Sequence, residues 1–153
     1  MQYGDCIVVD IGGTMPSGYR SDCTRTYVVG EPSPDYLASY AVLEQAQAAA
    51  VAHARPGVTC ASVDAVARKV LTDAGLGDLF VHRTGHGIGL ETHEAPYIVS
   101  GNDLILEEGM AFSVEPGFYL PGSYGARIED IVVLHDSGAE SLNSQPHHLV
   151  SCT

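Results

Sequence analysis

Four acidic residues stand where acidic residues are costly. Asp10 closes the apolar run IVVD, Glu115 interrupts FSVEPG, and Glu129 and Asp130 interrupt RIEDIVVL. A carboxylate inside an apolar β-run is strongly unfavourable unless it is paired or binds a metal. For any one of them a buried ion pair or a turn cap is the simpler reading. The chain carries only 7 Lys and Arg against 19 Asp and Glu, however, so pairing alone is hard to arrange for all of them. Convergence on metal cations is the economical alternative.

Histidine supplies a second cluster. The stretch VHRTGHGIGLETHE places His82, His86 and His93 among Gly85, Gly87 and Gly89. A single His is more often structural than a ligand, but three among glycines are different. Glycine lets backbone approach a ligand or a neighbouring strand closely, and histidine supplies a neutral nitrogen ligand and proton transfer near neutral pH. The GHGIG segment is a weak candidate for a phosphate loop, because no Lys follows it. Oxygen-rich ligands with one His suit Mn, Co, Fe or Zn better than a structural zinc site, which prefers Cys and His. Two such ions about 4 Å apart, bridged by carboxylates, activate a shared water for hydrolysis.

The elements that must position these groups are legible in outline. CIVVDI, residues 6–11, reads as a buried strand ended by Gly12 and Gly13. TMPSG (14–18) reads as a turn, and YRSDCTRTYVV (19–29) as a second strand paired with the first. Ser33 and Pro34 predict a helix start, and the Ala-rich stretch 35–54 puts Tyr36, Tyr40, Leu43 and Ala50 near one face. Arg55-Pro56-Gly57 stops it. A second helix is predicted over 61–74, with a stripe of Val63, Val66, Ala67 and Val70 and with Gly75 as its C-cap. Strands follow at 80–84, 111–119 and 126–134, and the polar tail 135–153 reads as loosely structured. The fold class is α+β, a mostly antiparallel sheet with two helices on one face, in a single domain over 1–153.

Composition narrows the function classes. With 45% hydrophobic residues the chain folds rather than staying disordered. A net charge of −12 argues against a nucleic-acid partner, since phosphate binding needs clustered cations. Cys6, Cys23, Cys60 and Cys152 are irregularly spaced, with no C-x-x-C pair, so a reducing compartment is expected. There is no signal-peptide pattern at the start and no run of 18 apolar residues. The expectation is a cytoplasmic protein with no membrane partner.

With these motifs the sequence resembles the pita-bread (creatinase/aminopeptidase-like) metallopeptidases, the superfamily of methionine aminopeptidase, aminopeptidase P and prolidase, over roughly residues 4–142. The resemblance implies a curved sheet with helices on its outer face and five residues holding two divalent metal ions: Asp10 of VVDIGG, Asp22 of SDCTRT, His86 of the H-x-x-x-H-G-x-G segment, Glu115 of SVEPG and Glu129 of RIED. By the family pattern Asp22 and Glu129 bridge the ions, Asp10 completes one shell, and His86 and Glu115 complete the other. Glu115 also handles the proton of the attacking water. His93 stabilises the tetrahedral intermediate, His82 contacts substrate, and Arg127 orients a ligating carboxylate. SDCTRT and ARIEDIVV resemble the prolidase and aminopeptidase P branch, which implies hydrolysis of the Xaa-Pro bond in dipeptides or at peptide N-termini, with Mn²⁺ first among Mn²⁺, Co²⁺, Zn²⁺ and Fe²⁺.

The family pattern places helices and a strand before the first ligand Asp, whereas Asp10 follows only nine residues here. The expectation is a catalytic domain lacking its first part, with an open sheet edge that is a candidate interface for a homo-oligomer. Two alternatives to Xaa-Pro hydrolysis are a non-catalytic domain of this fold that binds peptide or protein, and a methionine aminopeptidase. Cys23 is expected in the core as a small hydrophobe. His53, His135, His147 and His148 are expected at the surface, and Tyr119 and Tyr124 in core or loop packing.

Overall fold

The computed structural model describes residues 1–152; Thr153, the end of the predicted loose tail, lies outside them. β1 (Cys6–Thr14) and β2 (Arg20–Val29) form an antiparallel hairpin closed by residues 15–19. Its register sets Asp10 opposite Thr24 and Gly12 opposite Asp22. Strand alternation therefore puts both carboxylates on one face, with Val9, Ile11, Cys23 and Arg25 on the other. The strand around Asp10 was expected to be buried. It is instead half-buried to exposed, with Ile11 66% exposed, because β1 is the edge of a three-stranded sheet of order β1-β2-β10, in which β10 is Val150–Cys152.

The helices form as the sequence predicts, within a residue or so. α1 (Pro34–His53) starts on Ser33, whose side chain accepts from Tyr36 N–H, and it buries Tyr36, Tyr40, Leu43 and Ala50. α2 (Cys60–Asp73) starts on Thr59, whose hydroxyl accepts from Ser62 N–H. It buries Val63, Ala67 and Leu71, while Val66 and Val70 are only half-buried. Gly75, at φ +78°, receives the chain past its end. Both helices pack on a five-stranded sheet of order β4-β3-β5-β8-β9, made of β3 (Gly85–Gly87), β4 (Glu94–Ile98), β5 (Ala111–Val114), β8 (Asp130–His135) and β9 (Gly138–Ser141). The core lies between them and includes Leu71, Phe80, Ile98, Phe112, Val132 and Leu134. Phe112 and Val114 face the helices, so Ser113 faces the opposite side of the sheet.

Three expectations need correction. The segment 80–84 is not a strand; after a 3₁₀ turn at Gly77–Leu79 it runs as a loop held by Arg68 of α2, which donates to the carbonyls of Phe80 (3.1 Å) and His82 (2.5 Å). The predicted strands 111–119 and 126–134 each break in two. The first continues after Pro116 as β6 (Gly117–Tyr119), and the second begins as β7 (Gly125–Arg127); these two pair in a sheet of their own. Pro116 has no N–H for a ladder. Glu115 N–H donates instead to Thr84 O and Glu129 N–H to Thr24 O, so both acidic residues sit where the chain crosses between sheets. The tail is also more ordered than predicted. β9 extends the large sheet, and β10 runs parallel to β2, with Gly30 N–H donating to Cys152 O and Ser151 to Gly30 O.

Candidate metal centre

Asp22 of β2, His86 of β3 and Glu129 at the β7–β8 crossing each present one ligand atom, and these atoms lie within 4.8 Å of one another. His86 Nε2 is 3.2 Å from Glu115 Oε1. Asp10 lies beside Asp22 on the hairpin face, its carboxylate 2.5 Å from Arg127 Nη2. The structure thus brings together all five residues singled out as ligands.

Each is positioned by neighbours. His86 Nδ1 is 3.0 Å from Gly87 O, so Nδ1–H donates to that carbonyl and Nε2 keeps a free lone pair toward the carboxylates. Ser113 accepts from His86 N–H (3.0 Å) and donates to Glu115 (2.9 Å), locking the His–Glu pair to β5. Thr24 donates to Glu129 at 2.6 Å. Arg127 reaches Asp10, Tyr119 OH (2.8 Å) and, at 3.8 Å, Glu115. β3 fits between its neighbours because it has no side chain at Gly85 or Gly87. A Cβ on Gly85 would collide with Ser113 O, and one on Gly87 with Ala95 O.

The electrostatics match a cation site. Burial, then the charges of Glu115, Asp22 and Asp10, push Glu129 up to about 8 against the hydrogen bond from Thr24. Burial and Asp10 raise Asp22, and burial raises Glu115 against Ser113 and Arg127. Burial lowers His86, favouring the neutral, ligating form. Carboxylates that resist ionisation because they are buried and sit near one another, beside a neutral imidazole, form a donor set that divalent cations relieve.

Asp130 is different. It faces away from the cluster and is held by Arg25 (2.7 Å), His147 (2.8 Å) and Gln47 (3.3 Å). Burial raises its pKa, but the hydrogen bonds from His147 and Arg25 outweigh it and the net shift is downward. His147 is therefore not a free surface residue; the ordered tail brings it to Asp130. His53 is also half-buried, 3.1 Å from Ser62 Oγ. His135 and His148 are exposed as expected. Cys23 is not in the core: it lies half-exposed on the Ile11 face of the hairpin, where alternation must put the neighbour of Asp22. The four cysteines are unpaired.

Beside the cluster is a cavity of about 870 Å³ lined by His82, His93, Tyr97, Glu115 and Tyr119, among others. His93 is exposed, its ring 4.3 Å from that of His86. His82 Nδ1 is 2.8 Å from Arg83 O, and burial lowers its pKa. Tyr119 thus lines the cleft rather than packing in the core, whereas Tyr124 packs edge-on to Tyr36 as expected. Sequence reasoning passed over Thr24 and Ser113; each is a hydroxyl residue within two positions of a singled-out acid, Asp22 or Glu115, the only signal available.

Residues 1–136 match the profile of metallopeptidase family M24. The chain is 61% identical over 150 residues to the probable dipeptidase PepE of Mycobacterium tuberculosis, covering 98% of this chain and 40% of that one. It is 51% identical over 138 residues to an Xaa-Pro dipeptidase of Lactobacillus delbrueckii subsp. lactis, covering 90% and 37%. The crystal structure of dipeptidase PepE from Mycobacterium ulcerans superposes with a TM-score of 0.97 at 63% identity, over 99% of this chain and 41% of that one. That of a prolidase from Thermococcus sibiricus gives 0.96 at 43%, over 99% and 41%. The chain spans about 40% of the length of these relatives. The pita-bread fold expected from the motifs is the fold it has, and the chain belongs to metallopeptidase family M24, whose members use divalent metal ions.

Proposed function

We propose that this chain hydrolyses the Xaa-Pro peptide bond, in dipeptides or at peptide N-termini, with two divalent metal ions. The observation that carries this reading is the convergence of Asp22, His86 and Glu129, with Glu115 and Asp10 alongside, next to a cavity of which Glu115 forms part of the wall. Asp22 and Glu129 would hold both ions, with Asp10 contributing to one and His86 and Glu115 to the other. The oxygen-rich set puts Mn²⁺ first, ahead of Co²⁺, Zn²⁺ and Fe²⁺. When bound, such ions supply Lewis-acid polarisation and a water acidified toward neutral pH.

The chain's own residues do the rest. Glu115, raised by burial, accepts the proton of the water that adds to the scissile carbonyl carbon. As the C–N bond breaks, the same carboxyl returns that proton to the proline nitrogen. This nitrogen carries no hydrogen in the substrate, so the site needs no acceptor for one. His93 donates to the oxyanion that develops on the carbonyl. His82, fixed by the Arg83 carbonyl, presents Nε2 to substrate. Arg127 holds Asp10 in place and carries Tyr119 on its other arm. Tyr97, Val99 and Tyr119 offer apolar walls to a pyrrolidine ring. The unpaired thiols support a cytoplasmic setting, and among the described residues no helix is long and apolar enough to cross a membrane.

The test is hydrolysis of Ala-Pro and Met-Ala by the purified chain with added Mn²⁺, with EDTA as control. EDTA-sensitive release of alanine from Ala-Pro, well above cleavage of Met-Ala, is expected. Preference for Met-Ala would assign a methionine aminopeptidase instead, and no turnover of either would leave a binding role.

A further inference from the structure

The two residues proposed to hold both ions stand on different sheets, Asp22 on β2 and Glu129 just ahead of β8. The seam between those sheets therefore sets their spacing. Along it the chain runs antiparallel. Thr24 pairs with Glu129 as a bridge, and Glu129 N–H donates to Thr24 O at 3.1 Å. Two residues further, that register sets Asp22 opposite Ile131. There the ladder changes. Ile131 N–H donates at 2.7 Å to Asn143 Oδ1, and Asn143 Nδ2 donates at 3.0 Å to Asp22 O. A side-chain amide stands where a direct backbone bond would run, with its acceptor on one strand and its donor on the other. It splays β2 from β8 by the width of an amide and still ties them together.

The fold holds Asn143 at this fork. Past Glu129 the chain leaves β2 and, as β8, takes β9 as its neighbour. Leu142, the residue after β9, donates its N–H to Ile131 O at 2.9 Å. On the other side of Asn143 the tail is held by Arg25, whose guanidinium donates to Gln145 O (2.8 Å), Pro146 O (3.1 Å) and Glu129 O (2.6 Å). Asn143 lies beyond residues 1–136, the span matched by the family profile.

We infer that Asn143 is a positioning residue of the metal centre, whose amide sets the spacing at which Asp22 and Glu129 hold two ions together. The inference rests on the two-ion reading above. The two carboxyls ride on the backbones that Asn143 joins, so loss of the wedge changes their separation.

Manganese binding tests it without turnover. The native chain should take up two Mn²⁺ by calorimetry and show the electron paramagnetic resonance signal of an exchange-coupled pair. Asn143→Asp keeps the acceptor for Ile131 but sets a carboxylate oxygen against Asp22 O. It should weaken Mn²⁺ binding about 10- to 100-fold, the range for residues that orient ligands, and replace the coupled signal by that of isolated ions. The added negative charge alone would tighten cation binding, so a loss reports geometry. Asn143→Ala, which removes both bonds, should do the same. Thr59→Ala removes the cap of α2, on the other side of the large sheet. It should lower Tm but leave both metal readouts native. Native affinity and coupling in either Asn143 variant, or equal losses in Thr59→Ala, would overturn the inference. A native chain that binds fewer than two Mn²⁺ would sink the two-ion reading and the inference with it. A coupled pair in the native chain without turnover of Ala-Pro would sink the hydrolytic reading alone.

Discussion

Glu129 and Asp130 are adjacent, both buried, and face different partners. Strand alternation sends one carboxyl to the metal cluster and the other to Arg25 and His147. The sequence marked both as acids in an apolar run, but only the tail fold reveals that Asp130 is neutralised by pairing. The two also differ in acid–base behaviour. The Glu129 pKa is raised from 4.5 to about 8 by burial and its acidic neighbours. A raised pKa means the folded state holds the proton more tightly than the unfolded state. Its favourable contribution is therefore full below pH 4.5 and lost as pH rises through about 8. The metal-free chain should thus lose stability over that window, and added Mn²⁺ should raise Tm by several degrees more at pH 8 than at pH 5. Thermal unfolding in EDTA and in Mn²⁺ at both pH values checks this; an equal shift would detach Glu129 from the metal. The five candidate ligands could be singled out in order because each sits in a compact motif. The orienting hydroxyls Thr24 and Ser113 were not, because a Ser or Thr in a strand looks the same whether or not it braces a ligand.

β3 shows how an element too short to predict can decide the site. Three residues, GHG, carry His86 between β4 and β5. The glycines on either side permit it, since a Cβ at either position would meet neighbouring backbone. Gly85→Ala should cost about 3 kcal/mol, in the range of overpacked core sites, and should also weaken Mn²⁺ binding by displacing His86 from Glu115. Denaturant unfolding and metal titration of the same variant check both; full metal affinity would show that the tight β3–β5 approach does not position the ligand. The helices were legible almost to the residue because Ser33-Pro34 starts α1, Arg55-Pro56-Gly57 stops it and Gly75 follows the end of α2. The breaks at Glu115-Pro116 and before Asp130 were not, because the partners that reroute the chain, Thr84 and Thr24, are distant in sequence.

The hairpin that bears Asp10 and Asp22 has one face on the candidate metal cluster and the other only partly covered, with Arg25 buried under the tail but Ile11 66% exposed, and β1 is unpaired on its outer edge among the described residues. Open edges with apolar side chains favour pairing with further strands. Ile11→Lys should therefore reduce concentration-dependent association, read by light scattering, without changing Mn²⁺ affinity; unchanged association would show that this edge does not mediate it. The sequence read CIVVDI as interior because an apolar run does not disclose whether a second layer covers it. Two helices behind one sheet and a hairpin across its front bring together five candidate ligands from β1, β2, β3 and two strand crossings. The most direct test is the Mn²⁺ content of the chain after equilibration and gel filtration, native against Asp22→Ala/Glu129→Ala. Two ions per native chain and fewer than one in the variant are predicted. Equal metal in both, with the variant folded by circular dichroism, would contradict the assignment of this cluster as the metal centre.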